Sequence, residues 1–136
     1  MLLFSGFKSI SPIFLNLFSA NRDSMSSLMH RTEQLALEFY ALLLQGRSLH
    51  IVGEMLNESW QIKKFLHPST ITASVEEFVQ TGIENCAEGR KALGNGGGGF
   101  LLFWVNPNLK GDFIRRMSSS IYVPVQISFE GTTRIL

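Results

Sequence analysis

The residues best suited to chemistry lie in one stretch, Lys91-Ala92-Leu93-Gly94-Asn95-Gly96-Gly97-Gly98-Gly99-Phe100. Ordering five glycines within six positions costs much conformational entropy. A folded chain that keeps such a run uses it. Backbone without side chains can approach a ligand or another segment closely, and consecutive amides can form an anion-binding concavity. Lys91 adds a cation just before the run. A role in phosphate or substrate contact and a plain surface lysine are both open for it.

Three readings of the glycines compete. Gly94, Gly96 and Gly99 satisfy G-x-G-x-x-G, the dinucleotide fingerprint, which needs a strand before it and a helix after it. Here helical spacing from Ser74 to about Lys91 precedes the run, and the apolar stretch Phe100 to Val105, of strand length, follows it. The order is reversed, so the match is accidental. A Walker A loop fails likewise and lacks its Gly-Lys-Ser/Thr ending. A flexible linker is the second reading, although linkers usually mix in serine and polar residues. The third is a helix, a glycine loop and a buried strand, with the loop backbone lining a phosphate-handling site.

Other reactive types are sparse. Cys86 falls on the apolar face Val75, Phe78, Val79, Gly82, Ile83, which predicts a small core residue rather than a reactive thiol. His30, His50 and His67 show no metal-ligand spacing. Arg115 and Arg116 read as a solvated surface. The chain has 136 residues, 45% hydrophobic and 17% charged, with net charge +1. That composition can bury a core and excludes disorder. It offers no basic excess for nucleic acid and no apolar run of membrane-spanning length. A single cysteine suits a reducing, cytoplasmic setting. The segment from Phe14 to Ala20 could pass for the end of a leader. It lacks a positive n-region, however, and Lys8, Ser9, Ser11 and Pro12 interrupt the apolar run, so no cleavage is expected.

These residues need elements to position them. Leu2 to Phe4 reads as a strand. Ser11 and Pro12 open a helix through Phe18. Leu28, Thr32, Leu35, Phe39 and Leu42 form an amphipathic stripe ending at Gln45-Gly46. Ser48 caps a third helix with Leu49, Val52, Leu56, Trp60 and Lys63 on one face, Lys63 snorkelling at its edge. Gly53 either weakens that helix or marks a close crossing. His67-Pro68 breaks it. Ser74 and Glu77 suggest a capping box. Asn106 caps a short helix with Pro107 at its start. Val123 to Phe129 and Thr132 to Leu136 are strand-like. The sum is one α+β domain, residues 1–136, with a mainly antiparallel sheet covered by helices.

The residues Gly94-x-Gly-Gly-Gly-Gly-Phe-Leu-Leu-Phe resemble the third motif of the GHMP kinases, nearest their D-glycero-D-manno-heptose 7-phosphate kinase branch. Other landmarks follow the same order: Leu3-Phe4-Ser5-Gly6-Phe7, Leu56-Asn57-Glu58-Ser59-Trp60 with Lys63-Lys64, and Phe129-Glu130-Gly131-Thr132 with Arg134. The resemblance covers nearly the whole chain and implies the family's C-terminal domain, a ferredoxin-like antiparallel sheet with helices packed on it. It also implies that Gly94 to Gly99 pack beside an ATP phosphate loop and shape an acceptor pocket, with Ser5, Gly6 and Lys91 as substrate contacts. Lys91 aligns with a lysine common in that branch, and Asn95 stands where the family usually has alanine. The family's Pro-x-x-x-Gly-x-Gly-Ser-Ser phosphate loop, carried by an N-terminal domain, occurs nowhere in this chain. The resemblance therefore implies the C-terminal portion of a kinase, inactive alone, whose N-terminal kinase domain is either a partner polypeptide or missing through a truncated gene. ATP, Mg²⁺ and a phosphorylated sugar are implied for the complete enzyme. The alternative expectation is a non-catalytic ferredoxin-like binding or regulatory module that forms a homodimer.

Overall fold

A computed structural model describes residues 1–7, 22–45, 49–66, 68, 71–94 and 96–126. The expected helix from Pro12, the Ser48 cap, His67, Asn95 and the final hairpin lie outside these residues. Among them the chain forms β1 (Leu2–Phe4), α1 (Arg22–Leu44), α2 (Val52–Leu66), α3 (Ala73–Glu84), β2 (Ala87–Ala92), β3 (Phe100–Val105), α4 (Lys110–Arg116) and β4 (Ile121–Val123). Single 3₁₀ turns, Leu49–Ile51 and Pro107–Leu109, precede α2 and α4.

The strands form one antiparallel sheet in the order β2-β3-β1-β4. Each of the two longer connections, β1 to β2 and β3 to β4, carries helix and skips over one strand. This is the ferredoxin-like arrangement, with three described helices in the first crossover. Side chains alternate across a strand, and Leu3 pairs in register with Leu101. Leu3, Leu101 and Phe103 therefore share one face. Trp60 of α2, Val75 and Val79 of α3, and Phe113 and Met117 at α4 close over them, all buried. Burying each large apolar side chain contributes about 1.5–3 kcal/mol. The Phe103 and Phe113 rings meet at 5.4 Å, tilted by 53°, within the geometry that aromatic pairs favour.

Several expectations hold. The α1 stripe turns Leu28, Leu35, Phe39 and Leu42 inward against Met55 and Ile62 of α2. The side chain of Asn106 accepts from Asn108 N–H, with Pro107 at the start of the turn. Arg115 is exposed and pairs with Asp112 one turn earlier.

Three expectations are corrected. The helix predicted from Ser74 to Lys91 ends at Glu84, and Ala87–Ala92 is a strand. The backbone N–H groups of Asn85 and Cys86 bond back to the Thr81 and Ile83 carbonyls, and Cys86 takes φ 76°. That left-handed residue stops the helix. It also carries Cys86 off the apolar stripe into solvent, so the cysteine is exposed rather than core. The cap of α3 is Thr72, whose side chain accepts from Val75 N–H; Ser74 sits inside the first turn.

Two close approaches fix the layers. A Cβ on Gly89 would lie 2.4 Å from Gly53 Cα, so α2 meets β2 backbone to backbone. The suspected crossing at Gly53 is thus helix on strand. A Cβ on Gly82 would lie 2.1 Å from the Phe103 ring. Gly111 in α4 has no neighbour within 4 Å of its Cβ position. Gly89→Ala and Gly82→Ala are each expected to destabilise by about 1–3 kcal/mol. Gly111→Ala is expected to be neutral or to stabilise by up to about 1 kcal/mol. Urea unfolding of the three variants checks the contrast.

Candidate functional site

The glycine run is the loop of a hairpin between β2 and β3. It is entered from a strand, not from a helix as expected. Leu93 N–H donates to Phe100 O at 2.9 Å and closes the hairpin. Exclusion of the dinucleotide fingerprint stands for half its stated reason, since a strand now precedes the loop but a strand, not a helix, follows it.

Gly94, Gly96, Gly98 and Gly99 all have positive φ, and Gly96, Gly97 and Gly98 are buried. Such a path excludes most side chains. The loop is seated on the exit from β1. Ser5 N–H and Ser5 Oγ both donate to Gly99 O, at 2.8 and 2.9 Å, and Gly99 N–H donates to Phe7 O at 2.9 Å. A Cβ on Gly98 would come within 2.7 Å of Phe7 O. These contacts distinguish it from a free linker. Gly6 turns the chain at φ 79°, beside Ser5. Ser5, Gly6 and the glycines, singled out separately in the sequence, therefore come together.

The lysines divide differently. Lys63 of α2, expected only to snorkel, donates through Nζ to Ala92 O at 2.9 Å and Gly94 O at 2.5 Å. It grips the entry to the loop. Lys91 points across the sheet to the side opposite the core and donates to Ser59 Oγ at 2.7 Å. Burial lowers the Lys63 ammonium to about 8, and the nearby Lys91 charge adds to the effect. Burial lowers Lys91 as well. The signal for Lys63 was legible in part: a lysine on the apolar face of a helix must find something polar to reach.

Helix α2 also meets β2 through Asn57. Its Nδ2 donates to Glu88 O at 3.0 Å and its Oδ1 accepts from Arg90 N–H at 3.1 Å. β2 is an edge strand, and Asn57 with Lys63 takes the bonds a further strand would take. The helix is held from its outer side by Arg31 of α1, which forks onto Glu58, Nε to Oε1 at 2.6 Å and Nη2 to Oε2 at 2.8 Å. The Arg31 guanidinium lowers the Glu58 carboxyl below its ordinary value. Lys64 pairs with Glu76 of α3 at 2.7 Å.

A cavity of about 690 Å³ opens on the second face of the sheet. It lies between α1, α2 and the strand residues Lys91, Leu102 and Trp104. Among the described residues no three His, Cys, Asp or Glu side chains converge, and no helix is long and apolar enough to cross a membrane.

Comparison with known proteins adds one relation to this geometry. The chain is 28% identical over 89 residues to a D-glycero-alpha-D-manno-heptose 7-phosphate kinase of Campylobacter jejuni. The aligned stretch is 65% of this chain and 26% of that protein, so the chain matches about a quarter of its relative's length. No protein-family profile matches the chain. The relation to GHMP-type sugar kinases is distant and partial, and it supports a kinase-like origin.

The shifted lysine yields a pH test. Unfolded, Lys63 titrates near 10.5; folded, near 8. Between these values the unfolded chain holds a proton the native chain has released, so stability rises with pH. Below about 8 the cost of burying the charge is fully present. Lys91 acts in the same direction. The melting temperature is expected to climb between pH 8 and pH 10, and to climb less in Lys63→Met. Thermal scans by circular dichroism at matched ionic strength check this.

Proposed function

We propose that this chain supplies the glycine-loop lobe of an ATP-dependent sugar kinase acting on a heptose 7-phosphate-like acceptor. The observation that carries the reading is the buried glycine hairpin, locked onto Ser5 to Phe7 and gripped at its entry by Lys63. Phosphoryl transfer depends on positioning and on neutralising phosphate charge. Glycines anchored to Ser5 and Phe7 let phosphate oxygens approach backbone amides, and the half-buried Lys63 keeps positive charge beside them. Ser5 and Gly6 hold the floor of that wall. A phosphate-loop lobe, supplied by another stretch of polypeptide, completes the nucleotide site, and the 136 residues alone are inactive.

A second reading, a non-catalytic module that self-associates, draws on an outer row of α1. Leu37, Tyr40 and Leu44 are all more than 60% exposed there, and contiguous exposed apolar surface favours association. Sedimentation equilibrium separates the two readings: a tight homodimer indifferent to a kinase lobe favours the second.

The kinase reading predicts no ATP turnover by the chain alone. Turnover with heptose 7-phosphate is expected when a separately expressed phosphate-loop lobe of a heptose phosphate kinase is added. In that assembled enzyme Gly98→Ala is expected to lower kcat/KM about a hundredfold, because a Cβ there collides with Phe7 O and displaces the loop. Coupled-enzyme measurement of ADP release checks both points. Absence of association together with absence of turnover overturns the split-lobe reading.

A further inference from the structure

Lys91 is left over by the kinase reading, because its ammonium reaches away from the glycine loop. It enters the cavity on the second sheet face, donates to Ser59 Oγ, and has no carboxylate partner among the described residues. Burying a cation without a counter-charge is costly, and a half-buried lysine aimed into a cleft is a candidate binding group. Ser59 accepts from Lys91, which leaves its own hydroxyl hydrogen to donate. Ammonium and hydroxyl together offer two donors, spaced for the two oxygens of one carboxylate.

Most of the other described lining residues are apolar, with Thr32 and Gln126 among the polar exceptions. Leu35 and Phe39 of α1, Met55 of α2, and Leu102 and Trp104 of β3 supply its walls. Lys110 adds a second cation at the rim, and among the described residues no Asp or Glu lines the cavity. At about 690 Å³ the cavity falls in the range, about 300–1,000 Å³, of sites that enclose small molecules.

We propose that this cavity binds a free medium-chain carboxylate, with its anionic head on Lys91 and Ser59 and its chain along Phe39, Met55 and Trp104. The charge pattern selects an anion with an apolar body over a neutral lipid or a free sugar phosphate. This site is independent of the kinase reading: it involves no nucleotide and no partner lobe.

Trp104 serves as the reporter, since the other tryptophan, Trp60, is fully buried in the core. The 136-residue chain is titrated with decanoate, 1-decanol and acetate, each below its aggregation limit, while tryptophan emission is followed. Saturable change with decanoate is expected, with 1-decanol weaker and acetate silent. Lys91→Met is expected to weaken decanoate about tenfold, as loss of a charge-assisted hydrogen bond implies, and to spare 1-decanol. Ser59→Ala is expected to act in the same direction by a smaller factor, and it serves if Lys91→Met fails to fold. Three results overturn the proposal: no saturable change, equal affinity for decanoate and 1-decanol, or a signal that persists in a folded Trp104→Phe variant. Failure here leaves the ADP-release assay untouched, and failure of that assay leaves this site untouched.

Discussion

The architecture turns on how the free edge of β2 is satisfied. An edge strand exposes backbone donors and acceptors that invite pairing with another chain. Here α2 covers that edge with side chains rather than with a strand. Asn57 takes Glu88 O and Arg90 N–H, and Lys63 takes Ala92 O and Gly94 O. Side chains can do this only if the helix lies close, and the Gly53–Gly89 contact sets that distance. Through the same grip the helix dictates where β2 ends and where the glycine loop begins. The loop's other end is fixed by Ser5 and Phe7 on β1. Sheet, helix and the two ends of the glycine loop are thus one hydrogen-bonded unit.

Much of this was legible in the sequence where hydrophobic spacing carried the information. The α1 stripe, the apolar run of β3 and the Asn106-Pro107 helix start all follow from periodicity and caps. β2 was not legible, for a physical reason. Ala87-Glu88-Gly89-Arg90-Lys91-Ala92 contains no β-branched or aromatic residue, and strand propensity rests largely on such side chains. Its strand character comes from pairing with β3 and from the side chains of α2, which are distant in sequence. Cys86 was misplaced by the same error. Helical spacing extrapolated one step too far lands it in the core, whereas the chain leaves the helix there through a left-handed residue.

The candidate site was legible in outline and not in its connections. The glycines with Ser5 and Gly6 stood out by type and by resemblance, and they do meet. Which lysine serves the loop depended on side-chain direction. In β2 successive side chains alternate faces, so Lys91, one residue before Ala92, looks away from the core. Lys63 approaches from the neighbouring helix. Sequence adjacency favoured Lys91; geometry brings Lys63.

The shortest strands have a kinetic consequence. β1 is three residues long, yet it sits between β3 and β4, with Leu2 opposite Leu102 and Val123. Its partners therefore lie about a hundred residues downstream. The helices can form from local contacts as the chain lengthens, whereas the middle of the sheet stays open until the later strands arrive. Contacts of such high sequence separation slow folding. During that interval the apolar Leu2, Leu3 and Phe4 lack the β3 and β4 partners that flank them in the finished sheet.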